Sequence, residues 1–163
     1  MSGARRLLLL GGIALAILGM GYGLWYAVFA EHQELQEIGA SLATGFAGAA
    51  QRNSELAQTS LVRYREAKYN YERQVDAHGH WIGLAMLLMI LGIGFDRLGF
   101  SERWKFLLAL SLFLGALLFP LGVLLQTLNH GPIPRALAIL GSALVIVALA
   151  AVTIGFARSR TST

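Results

Sequence analysis

Charge falls along this chain in blocks, and the gaps between the blocks constrain the fold more than any motif does. Residues 7–30 contain no Asp, Glu, Lys or Arg, and neither do 77–95, 106–134 (most apolar over 106–128) or 136–157. At about 1.5 Å of rise per residue, a helix over 7–30 is roughly 36 Å long, which exceeds the ~30 Å hydrocarbon core of a bilayer. The other three runs are of similar reach. A water-soluble domain must clothe its surface in polar side chains, yet only 13% of the 163 residues are charged and 56% are hydrophobic. That charged share is about half the usual one. The reading is an all-α protein: a four-helix transmembrane bundle with an extramembrane helical hairpin between the first and second spans. Its segments are a tail and first span over 1–30, the hairpin over 31–76, and three further spans with short loops and a C-terminal tail over 77–163.

Arg5 and Arg6 before the first run, with Val28-Phe29-Ala30 at its end, also resemble a secretory signal. The apolar stretch is longer than the 7–15 residues of such a signal, so a retained anchor is expected. Orientation follows from the basic residues. Arg5, Arg6, Arg97, Arg103, Lys105, Arg158 and Arg160 flank the spans on what the positive-inside rule makes the cytoplasmic side. The 31–76 connection carries five basic residues against seven acids, a net of −2. Both termini are therefore expected inside a cytoplasmic or inner membrane, with the hairpin and the 129–135 loop outside. The formal charge of +4 is then a topology signal, and nucleic acid is not an expected partner. Trp25, Tyr26, Trp81 and Trp104 fall near the interfaces, where amphipathic rings settle.

Within 31–76, Leu35, Ile38, Leu42, Phe46 and Ala49 recur at helical spacing. Asn53 or Ser54 offers a start cap for a second helix, along which Leu56, Leu61, Tyr64, Tyr71 and Val75 continue the stripe. No proline lies between residues 1 and 119, so nothing breaks this second arm before the membrane. The stripe either packs the two arms together or forms a docking surface for a partner.

The spans hold no ionisable Asp, Glu, Lys or Arg, which argues against a proton-coupled carrier or pump. Gly19 with Gly23, Gly79 with Gly83, and Ala138 with Ser142 are small-residue pairs that let helices approach closely in lipid. Pro120 removes a backbone donor from the third span and favours a kink there.

All four histidines, His32, His78, His80 and His130, fall on the outer side of this topology. They form the one constellation able to carry chemistry, since imidazole is a frequent metal ligand. His78 and His80 point about 200° apart on a regular helix and cannot meet at one metal. Asp76 lies four residues before His80 and is placed to orient it, as carboxylates do for metal-bound imidazoles. A haem would pair His78 or His80 with a histidine of another helix, His130 first and His32 next. A copper or zinc site would recruit His80, Asp76 and His130 or His32.

The segment Asp76-Ala77-His78-Gly79-His80-Trp81-Ile82-Gly83-Leu84-Ala85-Met86 resembles the haem-ligand helix of the haem–copper oxidase catalytic subunit and of small membrane proteins similar to parts of it. The matching positions are His78 with Gly79, or His78 with His80, and the resemblance implies that His78 is a haem ligand. It covers one span only. The third and fourth spans have no mid-helix histidine, so the family's copper site, its active-site haem and oxygen reduction are not implied.

The chain has no cysteine, so thiolate zinc sites and iron–sulfur clusters are excluded. It also has no GxSxG elbow, HExxH, P-loop or Rossmann glycine run. Two functions remain, and neither makes the chain clearly an enzyme. One is a membrane protein whose outer histidines hold haem b or copper for electron transfer, sensing or cofactor handling. The other is a non-catalytic accessory or scaffold subunit, joined to other membrane subunits or to further copies of itself. A small lipid- or solute-handling bundle ranks third.

Overall fold

The computed structural model describes residues 1–159; Arg160, the last basic residue of the charge argument, lies outside the described residues. The helices are α1 (Gly3–Phe29), α2 (Glu31–Ala50), α3 (Ser54–Gly94), α4 (Glu102–Leu125) and α5 (Pro132–Ser159), with a single 3-10 turn at Phe95–Arg97. No strand occurs among the described residues. Four of the helices, α1, α3, α4 and α5, are long and apolar enough to cross a membrane.

Local chemistry sets the boundaries. The Ser2 hydroxyl accepts the Arg5 amide at 3.2 Å and caps α1. α2 ends in a Schellman turn: the Asn53 amide donates to the Gly48 carbonyl at 2.8 Å and the Arg52 amide to the Ala49 carbonyl at 3.0 Å. This turn needs a left-handed residue, and Arg52 supplies it at φ 54°. Asn53 then caps α3, its Oδ1 accepting the Leu56 amide at 3.1 Å. From there α3 runs unbroken for 41 residues, roughly 60 Å and about twice the hydrocarbon thickness. α4 also runs without interruption through Pro120, which is buried within it.

α1 packs antiparallel to the second half of α3, and α2 packs against the first half. The interior is shared by α1, α3, α4 and α5 through Leu8, Leu15, Trp81, Ala85, Leu88, Leu112, Ala148 and Val152, with Phe95 closing the end near the N-terminus. α1 is thus an integral wall of the bundle. α5 packs on α4, where small residues bring the backbones together: a Cβ on Gly115 would lie 2.7 Å from the Gly141 carbonyl, and Gly122 abuts the Ala138 backbone.

The α2–α3 interface differs from the expected stripe. The buried residues of α2 are Ser41, Gly45 and Gly48, and the two glycines meet Ser60 and Ala57 of α3. Ile38 and Leu42 sit at the edge of this contact, while Leu35 and Phe46 are 46% and 74% exposed. Small side chains won because they let the backbones approach more closely than a leucine ridge would.

At the end carrying the termini, the Ser2 hydroxyl and Arg5 both bond the Asp96 carboxylate. Asp96 follows the apolar 77–95 run, and these two donors, the Ser2 hydroxyl foremost, hold its carboxyl below the usual range. Lys105, only 7% exposed, donates to the Asp96 carbonyl at 2.9 Å and to Glu102 at 3.0 Å.

Candidate functional site at the histidine end of the bundle

The opposite end holds all four histidines, and each meets a different neighbour. His78 faces α1, where Gly19 and Gly23 open a notch one helical turn long. The ring fills that notch: a Cβ on Gly23 would lie 2.9 Å from Nε2 and closer still to Nδ1 and Cε1. Nδ1 sits 2.8 Å from the Gly19 carbonyl, which can only accept, so the bonded tautomer carries its proton on Nδ1. The first small-residue pair of the sequence is therefore the socket for a histidine. Trp81, 4% exposed, lies against Gly19 and meets the Tyr22 ring edge-on at 5.6 Å.

Above this socket a polar chain ties three helices together. The Tyr22 hydroxyl donates to Gln74 Oε1 at 3.1 Å, the Gln74 amide donates to Glu34, and the Tyr26 hydroxyl donates to the other Glu34 oxygen at 2.7 Å. One carboxylate on α2 thus accepts from α1 and α3 at once. Charge-assisted bonds of this kind are about twice as strong as neutral ones. The sequence signal was present but faint: Tyr22 and Tyr26 are four apart, and so are Gln74 and His78, so each pair shares a face.

His80 points to the α4 side, its ring 4.7 Å from that of Phe119. His130, in the α4–α5 loop, lies 5.1 Å from the Tyr69 ring, and Arg73 covers that ring at 4.9 Å. The Tyr69 hydroxyl donates to Gln126 at 3.1 Å, and the Gln126 amide donates on to the Gly122 carbonyl. Asp76 pairs with Arg73 at 3.7 Å, and no hydrogen bond joins it to His80 among the described residues. His32 is exposed near the start of α2.

Axial position separates the rings. Tyr69, which marks the depth of His130, precedes His78 by nine residues and His80 by eleven, so it lies about 13 and 16 Å away along α3. His32 lies nine residues past Gly23, which marks the depth of His78, with the α1–α2 break between them. Two axial imidazoles must both reach one metal at about 2 Å, and this stagger keeps His78 and His80 from sharing one with His130 or His32. No group of three or more His, Asp or Glu able to hold a metal occurs among the described residues. The expected pairings of His78 or His80 with His130 or His32 are not formed in this arrangement. Its polar groups instead bond helix to helix.

Compared with known proteins, the chain matches no family model, no curated protein and no solved structure.

Proposed function

We propose that this protein is a non-catalytic accessory or scaffold subunit of a larger membrane complex, docking a protein partner through an extramembrane hairpin formed by α2 and the first half of α3. The observation that carries the reading is the outward position of the apolar residues on these two helices. Leu35 and Phe46 lie to one rotational side of the buried line Ser41–Gly45–Gly48 on α2. Leu61 and Val75 lie to the same rotational side of the buried line Ser60–Ala67 on α3. In an antiparallel pair, offsets of the same sense fall on the same face, so these four residues share one face of the hairpin. Arg65, Lys68 and Glu72 continue that face between Leu61 and Val75 at the same helical spacing, so the α3 side has a charged middle between apolar ends while the α2 side is apolar.

Placement in water follows from charge. Residues 54–76 carry Glu55, Arg63, Arg65, Glu66, Lys68, Glu72, Arg73 and Asp76, too many to lie in hydrocarbon. The excess of basic residues on the short flanks puts both termini in the cytoplasm and the hairpin outside. The Tyr22–Gln74–Glu34–Tyr26 chain then stiffens the point where the hairpin leaves the membrane. A rigid stalk whose one face carries Leu35, Phe46, Leu61 and Val75 around a charged centre presents a partner with a preformed surface, and preformed surfaces spend less entropy on binding.

The test is photo-cross-linking from Phe46 in native membranes, compared with a Phe46→Glu variant recovered in mild detergent. A discrete adduct with a larger membrane protein, lost together with co-purification in Phe46→Glu, is the expected result. A protein that shows no adduct, and that carries a Soret band or stoichiometric copper when purified, would overturn this reading in favour of the histidine-bound cofactor.

A further inference from the structure

At the end of the bundle away from the histidines, an open cleft of about 390 Å³ lies between α4 and α5, lined by Phe100, Trp104, Leu108, Ala151 and Arg158. A smaller cleft of about 200 Å³ shares Leu108 and continues past Ser111 of α4 and Leu140, Leu144 and Val147 of α5. Helical register makes them one groove. Trp104, Leu108 and Ser111 follow an i, i+4, i+7 spacing on α4, and Leu140, Leu144, Val147, Ala151 and Arg158 share one face of α5. The α5 wall is about 27 Å long.

Sequence explains the groove. The glycines that draw α4 and α5 together are Gly115, Gly122 and Gly141, and α4 has none before Gly115. Toward Trp104 the small residues give way to large ones, and the seam opens. The end wall is fixed: the Gly99 amide donates to the Gly155 carbonyl at 3.3 Å, and a Cβ on Gly155 would lie 2.6 Å from the Phe100 ring.

We propose that this groove binds one anionic phospholipid, its phosphate at Arg158 beside the Trp104 indole and an acyl chain along Leu108, Leu144, Val147 and Leu140. The chemistry of the two ends selects this occupant. One end carries an exposed guanidinium, which meets a phosphate with paired donors, next to an indole of the kind that settles at headgroup depth. The rest is apolar apart from Ser111 and faces the hydrocarbon. Arg97 and Arg103 near the same end add to the attraction for an anionic headgroup.

The test is native mass spectrometry of the full chain, delipidated in detergent and offered phosphatidylglycerol or phosphatidylcholine with identical chains. One phosphatidylglycerol per protein should be retained in preference to phosphatidylcholine. Arg158→Gln should lower phosphatidylglycerol occupancy about tenfold or more, the size of a lost bond to a charged group. Arg6→Gln, away from the groove, should leave it unchanged. Ser111→Trp, or Val147→Trp if the first fails to fold, should expel both lipids by filling the groove. Equal retention of the two lipids, or equal losses in Arg158→Gln and Arg6→Gln, would overturn the proposal and leave only diffuse surface charge.

Discussion

Replacing Gly23 by alanine should destabilise the bundle because of one side chain, His78. The added Cβ would sit 2.9 Å from Nε2, and nearer to the other edge of the ring, where ordinary contact begins at about 3.4 Å. The imidazole must retreat by about an ångström, which stretches its 2.8 Å bond to the Gly19 carbonyl beyond hydrogen-bonding range. Overpacking costs about 1–3 kcal/mol, and a lost side-chain bond in a membrane protein costs about 0.6, at most about 1.7 kcal/mol. Alanine returns about 1 kcal/mol through helix propensity. The net expectation is a loss of about 2 kcal/mol. In a His78→Ala background both penalties vanish, and Gly23→Ala should become neutral or stabilising by up to about 1 kcal/mol. Reversible unfolding of the four proteins of this cycle in mixed micelles measures the coupling, expected at about 2–3 kcal/mol. Equal costs for Gly23→Ala in both backgrounds would refute the socket.

Other substitutions probe the remaining joints. Glu34→Ala removes the acceptor shared by Tyr26 and Gln74, and should speed amide exchange in α2 while leaving α4 and α5 unchanged. Arg52→Gly should stabilise the protein by about 1 kcal/mol, because the left-handed φ of 54° costs about that much with a side chain; thermal melting reads the shift. Lys105→Met should cost about 0.5–1.5 kcal/mol, the net worth of the one bond that ties α4 to the Asp96 carbonyl, measured in the same unfolding assay.

The spanning helices were legible because absence of charge is a local property. The runs 7–30, 77–95, 106–128 and 136–157 correspond to α1, the second half of α3, α4 and α5, with ends displaced by a few residues where caps such as Ser2 decide. The start of α3 was legible to within one residue, since Asn53 and Ser54 both favour a helix start and Asn53 takes the cap. The inner face of α2 was not. Hydrophobic spacing selected Leu35 and Phe46, but contact depends on how closely two backbones approach, and Ser41, Gly45 and Gly48 allowed the closer approach. The histidines show the same divide. Their common end follows from the order of the spans, whereas their axial stagger depends on how far α3 extends past the Tyr69 level and where the 126–131 segment folds back onto it. No residue pattern encodes that depth. Glu34, one of several acids in a solvated-looking stretch, gave no hint that it accepts from two helices.

Four crossings with the α2–α3 pair and the 126–131 segment on one side are the claim beneath all of this, and the lack of native cysteine makes it directly measurable. Thr44→Cys, Asn129→Cys and Ser101→Cys, each the sole thiol in its variant, are exposed positions suited to a membrane-impermeant maleimide on intact cells. Thr44→Cys and Asn129→Cys should label from outside, and Ser101→Cys only after permeabilisation. Labelling of Thr44→Cys and Asn129→Cys from opposite sides of the membrane would contradict the account.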